Sequence, residues 1–274
     1  MGLQRVRSFC LSDAHIICKD DEQAVEEIGK ALDLIEFVTE TMGLKKGIDY
    51  WFRLSLGDIT NTEKYYKDDA SWEKSENLMR ALLVKRGGTF TEAKDEAAFY
   101  GPKIDVQMKN ANGKEDTAFT VQYDFCMPGR FNLVYTNEAG KEEIARVVHR
   151  SSVGAIERII AFLIEKYMGA FHLWLAPVQV NIIPIDEPHH AEAKKVYSAL
   201  REANIRCELI EGNGGFGKKV RATKLEKVPY FIIIGDKDIE AKKVTLESRD
   251  KGNLGQMTTE EIVAKLLKEI KEKK

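Results

Sequence analysis

The sequence predicts two parts of different fold class: an α+β part built on an antiparallel sheet, then a small α/β part with a mostly parallel sheet. In residues 1–175, candidate strands are joined by hairpins, as at Asn110 to Gly113, where Asn and Gly tolerate positive φ. From residue 176 onward, strands and helices alternate, which is typical of parallel sheets. We therefore expect two domains, 1–175 and 176–274.

Hydrophobic periodicity places the elements of the first part. Residues 5–18 (RVRSFCLSDAHIIC) alternate like extended segments around a turn at Ser12 and Asp13. A helix is expected from Asp20, which suits an N-cap, to Met42. Further strands are expected at 50–56, 103–109, 118–125 and 144–149, and further helices at 71–85 and 154–167.

The second part has the pattern of a small α/β unit. Strands are expected at 178–185, 206–210 and 230–234, helices at 190–203, 218–226 and 259–271, and a hairpin element at 243–249. A glycine-rich turn at 212–217 leads into the basic helix. A helix N-terminus with clustered cations suits a phosphate backbone.

Composition narrows the class of protein. The 274 residues are 43% hydrophobic and 31% charged, which indicates a globular chain and excludes collagen-like or disordered classes. No apolar run approaches the roughly 18 residues that a membrane span needs, so we expect no membrane association. The four cysteines are scattered without a CxxC pair, which favours a reducing cytoplasm.

The first candidate site residues are Arg5, Phe9, Asp13 and His15. In an extended chain these odd positions share one face. That face would carry a guanidinium for phosphate, a ring for stacking on a base, a carboxylate for an ammonium and an imidazole for a metal. The alternative is an ordinary strand with surface charges and one buried Phe.

A second candidate segment is VVHRSSVGAIERIIAFLIEKY, residues 147–167. A strand ends at His149, and a turn leads into a helix with Gly154 and Arg158 near its start. Glycine allows a ligand to approach the backbone, and a helix N-terminus favours anions. The alternative is a capped amphipathic helix with a solvated arginine.

Several motifs in order resemble those of the threonyl-tRNA synthetase family. RVRSFCLSDAHIIC is similar to motif 2 of the class II aminoacyl-tRNA synthetases, and HRSSVGAIERIIAFLIEKY to motif 3. FYGPKIDV, TVQYDF, LWLAPVQV, KVPYFIIIGDKDIE and GQMTTEEIV resemble threonyl-tRNA synthetases in particular. The resemblance implies a class II catalytic sheet, incomplete at its N-terminal side, followed by an anticodon-binding domain.

The implied activity is ATP-dependent activation of threonine and its transfer to tRNA(Thr). By this resemblance, Arg5 and Arg158 contact ATP, and Phe9 stacks on adenine. Further active-site contacts are expected from Lys103, Gln122 and Gly154. Mg²⁺ is expected to accompany ATP and to neutralise developing charge, together with the arginines.

The resemblance also implies how threonine is recognised. Asp13 matches the carboxylate that holds the amino group of threonine, and Tyr100 a residue of the threonine pocket. His15 and His149 match two of the three zinc ligands of the family, and the third is a cysteine. A site that coordinates a hydroxyl rejects valine better than an apolar pocket does, but it accepts serine.

In the second part, four residues fall where the family meets the anticodon: Asn213, Lys219, Arg221 and Asp238. The implied partners are tRNA(Thr), threonine and ATP, a second copy of the chain in a homodimer, and a separate N-terminal fragment. We expect the basic helix to bind tRNA with an affinity that falls as salt rises.

The chain also departs from the family pattern. Motif 1 and the zinc-binding cysteine have no counterpart, so we expect no threonine-dependent ATP–pyrophosphate exchange and weak zinc binding from this chain alone. Four positions differ from residues common in the family: Leu11, Thr117, Ala155 and Glu247. The alternative function is a non-catalytic tRNA-binding paralogue that uses the second domain.

Overall fold

A computed structural model describes residues 2–212 and 214–273 of the chain. Internal contacts group the chain into two compact units, Met1–Phe162 and Leu163–Lys274. This division falls inside a helix and earlier than the boundary that the sequence indicates after Leu175. The assignment of 1–175 and 176–274 as domains therefore stays a prediction. Within the described ranges, no helix is long and apolar enough to cross a membrane.

The first unit is an α+β structure. Its strands are β1 Ala14–Cys18, β2 Tyr50–Ser55, β3 Phe90–Ala93, β4 Lys103–Lys109, β5 Glu115–Asp124, β6 Val134–Thr136, β7 Glu142–Ile144 and β8 Arg146–Ser151. Its helices are α1 Asp21–Thr41, α2 Asp69–Lys85, the short α3 Met127–Arg130 and α4 Ile156–Tyr167, which continues past residue 162. Six strands form one sheet in the order β1-β8-β5-β4-β2-β3. All its pairs are antiparallel except β2–β3, which confirms the predicted class.

Helix α1 covers part of this sheet. The Asp20 side chain accepts a hydrogen bond of 2.8 Å from the Gln23 N–H, which confirms the predicted N-cap. Ile28, Leu32 and Ile35 recur at helical spacing and are fully buried. Because this apolar stripe packs on β1, β5 and β8, it fixes the three strands that carry most of the site described below.

The N-terminal segment departs from the prediction. Residues 5–13 form no strand, apart from an isolated bridge between Leu11 and Ala155, and β1 begins only at Ala14. The reason is that Ala14 pairs with Arg150 and β8 ends one residue later, at Ser151, so the earlier residues have no neighbouring strand to pair with. The expectation that Arg5, Phe9, Asp13 and His15 share one strand face is therefore wrong.

The second unit holds a mixed five-stranded sheet. Its elements are β9 Val180–Pro184, α5 His190–Glu202, β10 Cys207–Leu209, α6 Phe216–Leu225, β11 Tyr230–Ile234, α7 Asp236–Ala241, β12 Val244–Ser248, β13 Gly252–Met257 and α8 Thr259–Lys271. The strand order is β10-β9-β11-β12-β13. The first three strands are parallel, and β12 and β13 form an antiparallel hairpin. The apolar core includes Val180, Ile232, Leu246 and Leu266, all fully buried.

Candidate active site

A pocket of about 510 Å³ lies in the first unit, lined by residues of β1, β5, β8, the Tyr100 loop and the start of α4. Eight of the predicted active-site residues line it: Phe9, Asp13, His15, Tyr100, Gln122, His149, Gly154 and Arg158. Arg5 and Lys103 lie outside this lining. The fold thus assembles most of the predicted site although residues 5–13 form no strand.

Strand register brings three of these side chains into one row. His15 on β1 pairs with His149 on β8, and His149 pairs with Gln122 on β5. The centroids of the two imidazole rings are 4.4 Å apart with the rings edge to face. The Tyr100 ring lies 5.0 Å from the His149 ring. Two imidazoles, a phenol and an amide therefore face one another across the sheet.

A buried carboxylate orients His149. Its Nε2 lies 2.8 Å from Oδ2 of Asp124, which is fully buried. The other oxygen, Oδ1, accepts hydrogen bonds from the N–H groups of Cys126 and Met127. Because these bonds fix the carboxylate, the imidazole presents its Nδ1 as the nitrogen available to a ligand. The alternation in TVQYDF places Asp124 on the same strand face as Gln122, opposite Val121 and Tyr123, but it assigns Asp124 no role.

Tyr100 belongs to a chain of hydrogen bonds in the pocket. Its hydroxyl donates to Oε1 of Gln122, and Nε2 of Gln122 donates to Oγ1 of Thr120 at 3.2 Å. Burial, followed by the negative charges of Asp124 and Asp13, raises the pKa of Tyr100 to about 12. Tyr100 is therefore a neutral hydrogen-bond donor at physiological pH.

Arg158 is held at the wall of the pocket. Its Nη1 donates to the main-chain carbonyl of Thr117 at 3.0 Å. Gly154, with φ of +66°, precedes the helix, and a Cβ there would lie 1.9 Å from the carbonyl oxygen of Ala118. Only glycine allows this close approach, which brings the start of α4 and Arg158 against β5.

Arg5 and Phe9 occupy the rim of the site. The Arg5 side chain is 55% exposed, and its Nη2 lies 3.7 Å from Oδ1 of Asp116. Arg5 lines a neighbouring cavity together with Arg158, so the two guanidiniums border common space. Phe9 is 54% exposed, which leaves a ring face free for stacking.

Lys103 is engaged in a buried ionic cluster. Its Nζ lies 2.9 Å from Oδ2 of the fully buried Asp105. The same carboxylate oxygen accepts from Arg53 at 3.0 Å and from the Ser55 hydroxyl at 2.8 Å. Asp105 had no sequence signal beyond its alternation with apolar neighbours, yet it is the group that fixes Lys103.

The donor set fits a metal ion in part. His15 and His149 offer adjacent nitrogens, and imidazole is a good ligand for zinc. Across residues 2–212 and 214–273, however, no three His, Cys, Asp or Glu side chains come together as a ligand group. Among the described residues, at most two potential ligands of such a site therefore come together.

The predicted anticodon residues of the second unit differ in their exposure to solvent. Asn213 lies outside the described residues. Lys219 is buried, with its Nζ 3.4 Å from the carbonyl oxygen of Pro184, whereas Arg221 is exposed. Asp238 is also buried and tied into the fold. Its carboxylate accepts from three groups: Thr245 Oγ1, Gln256 Nε2 and the Gly235 N–H.

Comparisons with known families match both units. The family profile described as tRNA synthetase class II core domain (G, H, P, S and T) matches residues 1–167. The profile described as anticodon binding domain matches residues 179–269.

Curated relatives and solved structures agree with these matches. The threonine–tRNA ligases of Clostridium perfringens strain 13 and Halalkalibacterium halodurans are 42% and 43% identical over 98% of this chain and 41% of their own. The chain thus spans about two fifths of their length.

The RNA binding domain of threonyl-tRNA synthetase from Cryptosporidium parvum Iowa II superposes with a TM-score of 0.86 at 31% identity, over 98% of this chain and 66% of its own. A putative threonyl-tRNA synthetase from Aeropyrum pernix, at 24% identity and a TM-score of 0.79, covers 100% of this chain and 66% of its own, and shows the shared fold.

Proposed function

The chain belongs to the class II tRNA synthetases of the G, H, P, S and T core-domain family, and on that premise we propose that it functions as, or within, a threonine–tRNA ligase. One observation carries the proposal. A single pocket joins an arginine and an exposed aromatic ring, which suit a nucleotide, to a carboxylate, a phenol and two imidazoles, which suit a hydroxylated amino acid.

The reaction would begin with activation of the amino acid. The carboxylate of threonine attacks the α-phosphorus of ATP, pyrophosphate leaves, and threonyl-adenylate forms. Arg158 and Arg5 stabilise the charge on the phosphates, and the Phe9 ring packs on adenine. Attack of a terminal tRNA hydroxyl on the adenylate carbonyl then gives threonyl-tRNA and releases AMP.

Recognition of threonine is assigned to the other side of the pocket. Asp13 accepts from the ammonium group, and the neutral Tyr100 hydroxyl and the Gln122 amide provide polar contacts for the substrate. Lys103 remains part of the proposed catalytic set, acting from its cluster with Asp105. A polar wall disfavours valine, because an apolar methyl would leave these groups unpaired.

Metal ions complete the proposal. Zn²⁺, held in part by His15 and His149, would polarise the amino and hydroxyl groups of threonine. Mg²⁺ would accompany ATP and lower the negative charge on its phosphates.

The second unit supports binding of tRNA(Thr). Its match to an anticodon binding domain and the exposed cations on α6, among them Arg221, suit an RNA backbone. Asn213, Lys219 and Asp238 stay proposed contacts of the anticodon region. Because Lys219 and Asp238 are buried, their part would be to shape the loops around it.

The setting of the protein is proposed more broadly. The four cysteines are free thiols, which supports a reducing compartment such as the cytoplasm. A homodimer is proposed from the family resemblance alone.

Binding of a non-hydrolysable threonyl-adenylate analogue tests the function. Calorimetric titration of the full chain should show saturable binding that is at least tenfold tighter than for the valyl analogue. Arg158→Ala should weaken the threonyl analogue about tenfold or more, since a charged hydrogen bond is lost. Arg80→Ala is the matched control, because Arg80 pairs with Glu92 at 2.7 Å and does not line the pocket.

Two outcomes would contradict the proposal. Equal affinity for the threonyl and valyl analogues would remove the assignment of threonine. Binding of tRNA with no binding of either analogue would favour the non-catalytic tRNA-binding alternative.

A further inference from the structure

Strand β5 contains an irregularity next to the pocket. Along the β4–β5 pair, Val106 faces Phe119, but Gln107 faces Thr117. Ala118 is therefore an extra residue, a β-bulge. In a regular strand, positions three apart lie on opposite faces, yet Thr117 and Thr120 both line the pocket. The bulge thus changes the alternation and turns Thr117 toward the site.

Both main-chain carbonyls of the bulge face the segment that carries Arg158. The Thr117 oxygen accepts from Arg158 Nη1 at 3.0 Å. The Ala118 oxygen lies against Gly154, 1.9 Å from where a Cβ would stand. The position of the guanidinium therefore depends on the bulge staying at Ala118.

A buried amide on the neighbouring strand holds the bulge. Gln107 is 2% exposed, and its Nε2 donates to Oγ1 of Thr117 at 2.7 Å. This bond joins the two residues that face each other immediately beside the register shift. Moving the bulge by one residue would turn the side chain that it passes to the other face of the sheet and break this bond, so the bond favours the bulge at Ala118.

We propose that Gln107 is a positioning residue for nucleotide binding: it locks the bulge at Ala118, so that the Thr117 carbonyl holds Arg158 toward the phosphates of ATP. The inference deepens the proposed function and rests on it. Gln107 itself does not line the pocket, so its effect on nucleotide binding would be indirect, through Thr117 and Arg158.

The test compares two probes, Mg-ATP and adenosine, by calorimetric titration of the full chain. Gln107→Leu should weaken Mg-ATP about tenfold, equivalent to about 1.4 kcal/mol, and leave adenosine affinity unchanged. The reason is that adenosine lacks the phosphates that Arg158 meets. Thr117→Val should behave like Gln107→Leu, and Thr117→Ser, which keeps the hydroxyl, should bind Mg-ATP normally. The double variant should be no weaker than either single variant, because both remove the same bond.

Thr39→Val is the control for loss of a buried hydroxyl bond, since Thr39 Oγ1 donates to the Ile35 carbonyl inside α1. It should lower stability without changing either affinity. Normal Mg-ATP binding by Gln107→Leu, or equal losses for Mg-ATP and adenosine, would overturn the positioning role. Absence of Mg-ATP binding by the unmodified chain would overturn the proposed function, and the inference with it.

Discussion

The absence of a Cβ atom at Gly154 allows the pocket to form. A side chain there meets two obstacles: a φ of +66°, and a carbonyl oxygen of Ala118 that would lie 1.9 Å from the Cβ. The first obstacle strains the backbone by about 1 kcal/mol, and the second forces α4 away from β5. Because Arg158 follows in the first turn of α4, its bond to Thr117 depends on this glycine.

We therefore predict that Gly154→Ala lowers the free energy of unfolding by about 2–4 kcal/mol and abolishes binding of the threonyl-adenylate analogue. Gly140→Ala is a matched control, because Gly140 has φ of +72° but no atom within 4 Å of the added Cβ. It should cost about 1 kcal/mol and leave binding intact. Chemical denaturation gives the stability and titration the affinity. Equal losses of stability for the two variants would show that the close contact between Gly154 and the Ala118 carbonyl does not affect stability.

The residues that hold the site were harder to predict than the residues that line it. Tyr100, His149 and Arg158 belong to motifs whose residue types indicate their chemistry. Asp124 and Gln107 act only through cross-strand partners, and those partners depend on strand register and on a bulge. Alternation tells which face a residue occupies, but the sequence does not reveal which side chain it meets there.

At the scale of elements, strongly patterned segments were predicted well. The strands at 103–109 and 230–234 and the helix at 259–271 have the bounds found in the structure. Strand β3 was missed because Phe90–Ala93 is short and half polar, and it forms only by pairing parallel with β2. The opposite error occurred at residues 5–13: their alternating pattern predicted a strand, but none forms because no neighbouring strand is there to pair with.

Helix α1 is anchored by one carboxylate that joins three other elements. Asp21 accepts from Arg146 of β8 at 2.7 Å, and also from Lys74 of α2 and Tyr123 of β5. Burial alone would raise the pKa of Asp21, but these three hydrogen bonds lower it to about 2 from an ordinary 3.8. A depressed carboxyl pKa stabilises the fold above the unfolded pKa, and this contribution is lost as the pH falls toward 2.

We predict that Asp21→Asn lowers the free energy of unfolding by roughly 2 kcal/mol at pH 6. This difference in stability between the variant and the parent chain should disappear as the pH falls from 4 to 2. Thermal unfolding across this range measures it. Glu73→Gln, which removes an exposed carboxylate on α2, is the control and should change the free energy of unfolding little at pH 6. A gap for Asp21→Asn that stays constant down to pH 2 would show that the ion pairs do not stabilise α1.

At the scale of the whole molecule, the position of the domain boundary has physical consequences. The sequence indicates a second domain from residue 176, whereas internal contacts assign residues from Leu163 onward to the second unit. Leu173 belongs to the apolar core of that unit and is 2% exposed. The buried Gln179 side chain donates to the Leu173 carbonyl at 2.8 Å, and Arg249 donates to the Phe171 carbonyl at 3.0 Å.

These contacts lead to a prediction about two fragments of the chain, 163–274 and 176–274. Both contain the complete five-stranded sheet, but the shorter one lacks Leu173. Without the Leu173 carbonyl, the buried Gln179 amide loses its hydrogen-bond acceptor. Loss of a buried leucine costs about 2–3 kcal/mol and an unpaired buried amide about 1–3 kcal/mol, so fragment 176–274 should be less stable by about 3–6 kcal/mol. Chemical denaturation of both fragments measures the difference.

The longer fragment also tests whether the second unit reads tRNA by itself. Fragment 163–274 should unfold in one cooperative transition and bind tRNA with a threonine anticodon more tightly than other tRNAs, with both affinities falling as salt rises. Leu173→Ala in this fragment should reproduce about 2–3 kcal/mol of the loss, since it removes the same core contact without shortening the chain. If 176–274 proves as stable as 163–274, residues 163–175 are a linker rather than part of the unit, and the boundary after Leu175 is the correct one.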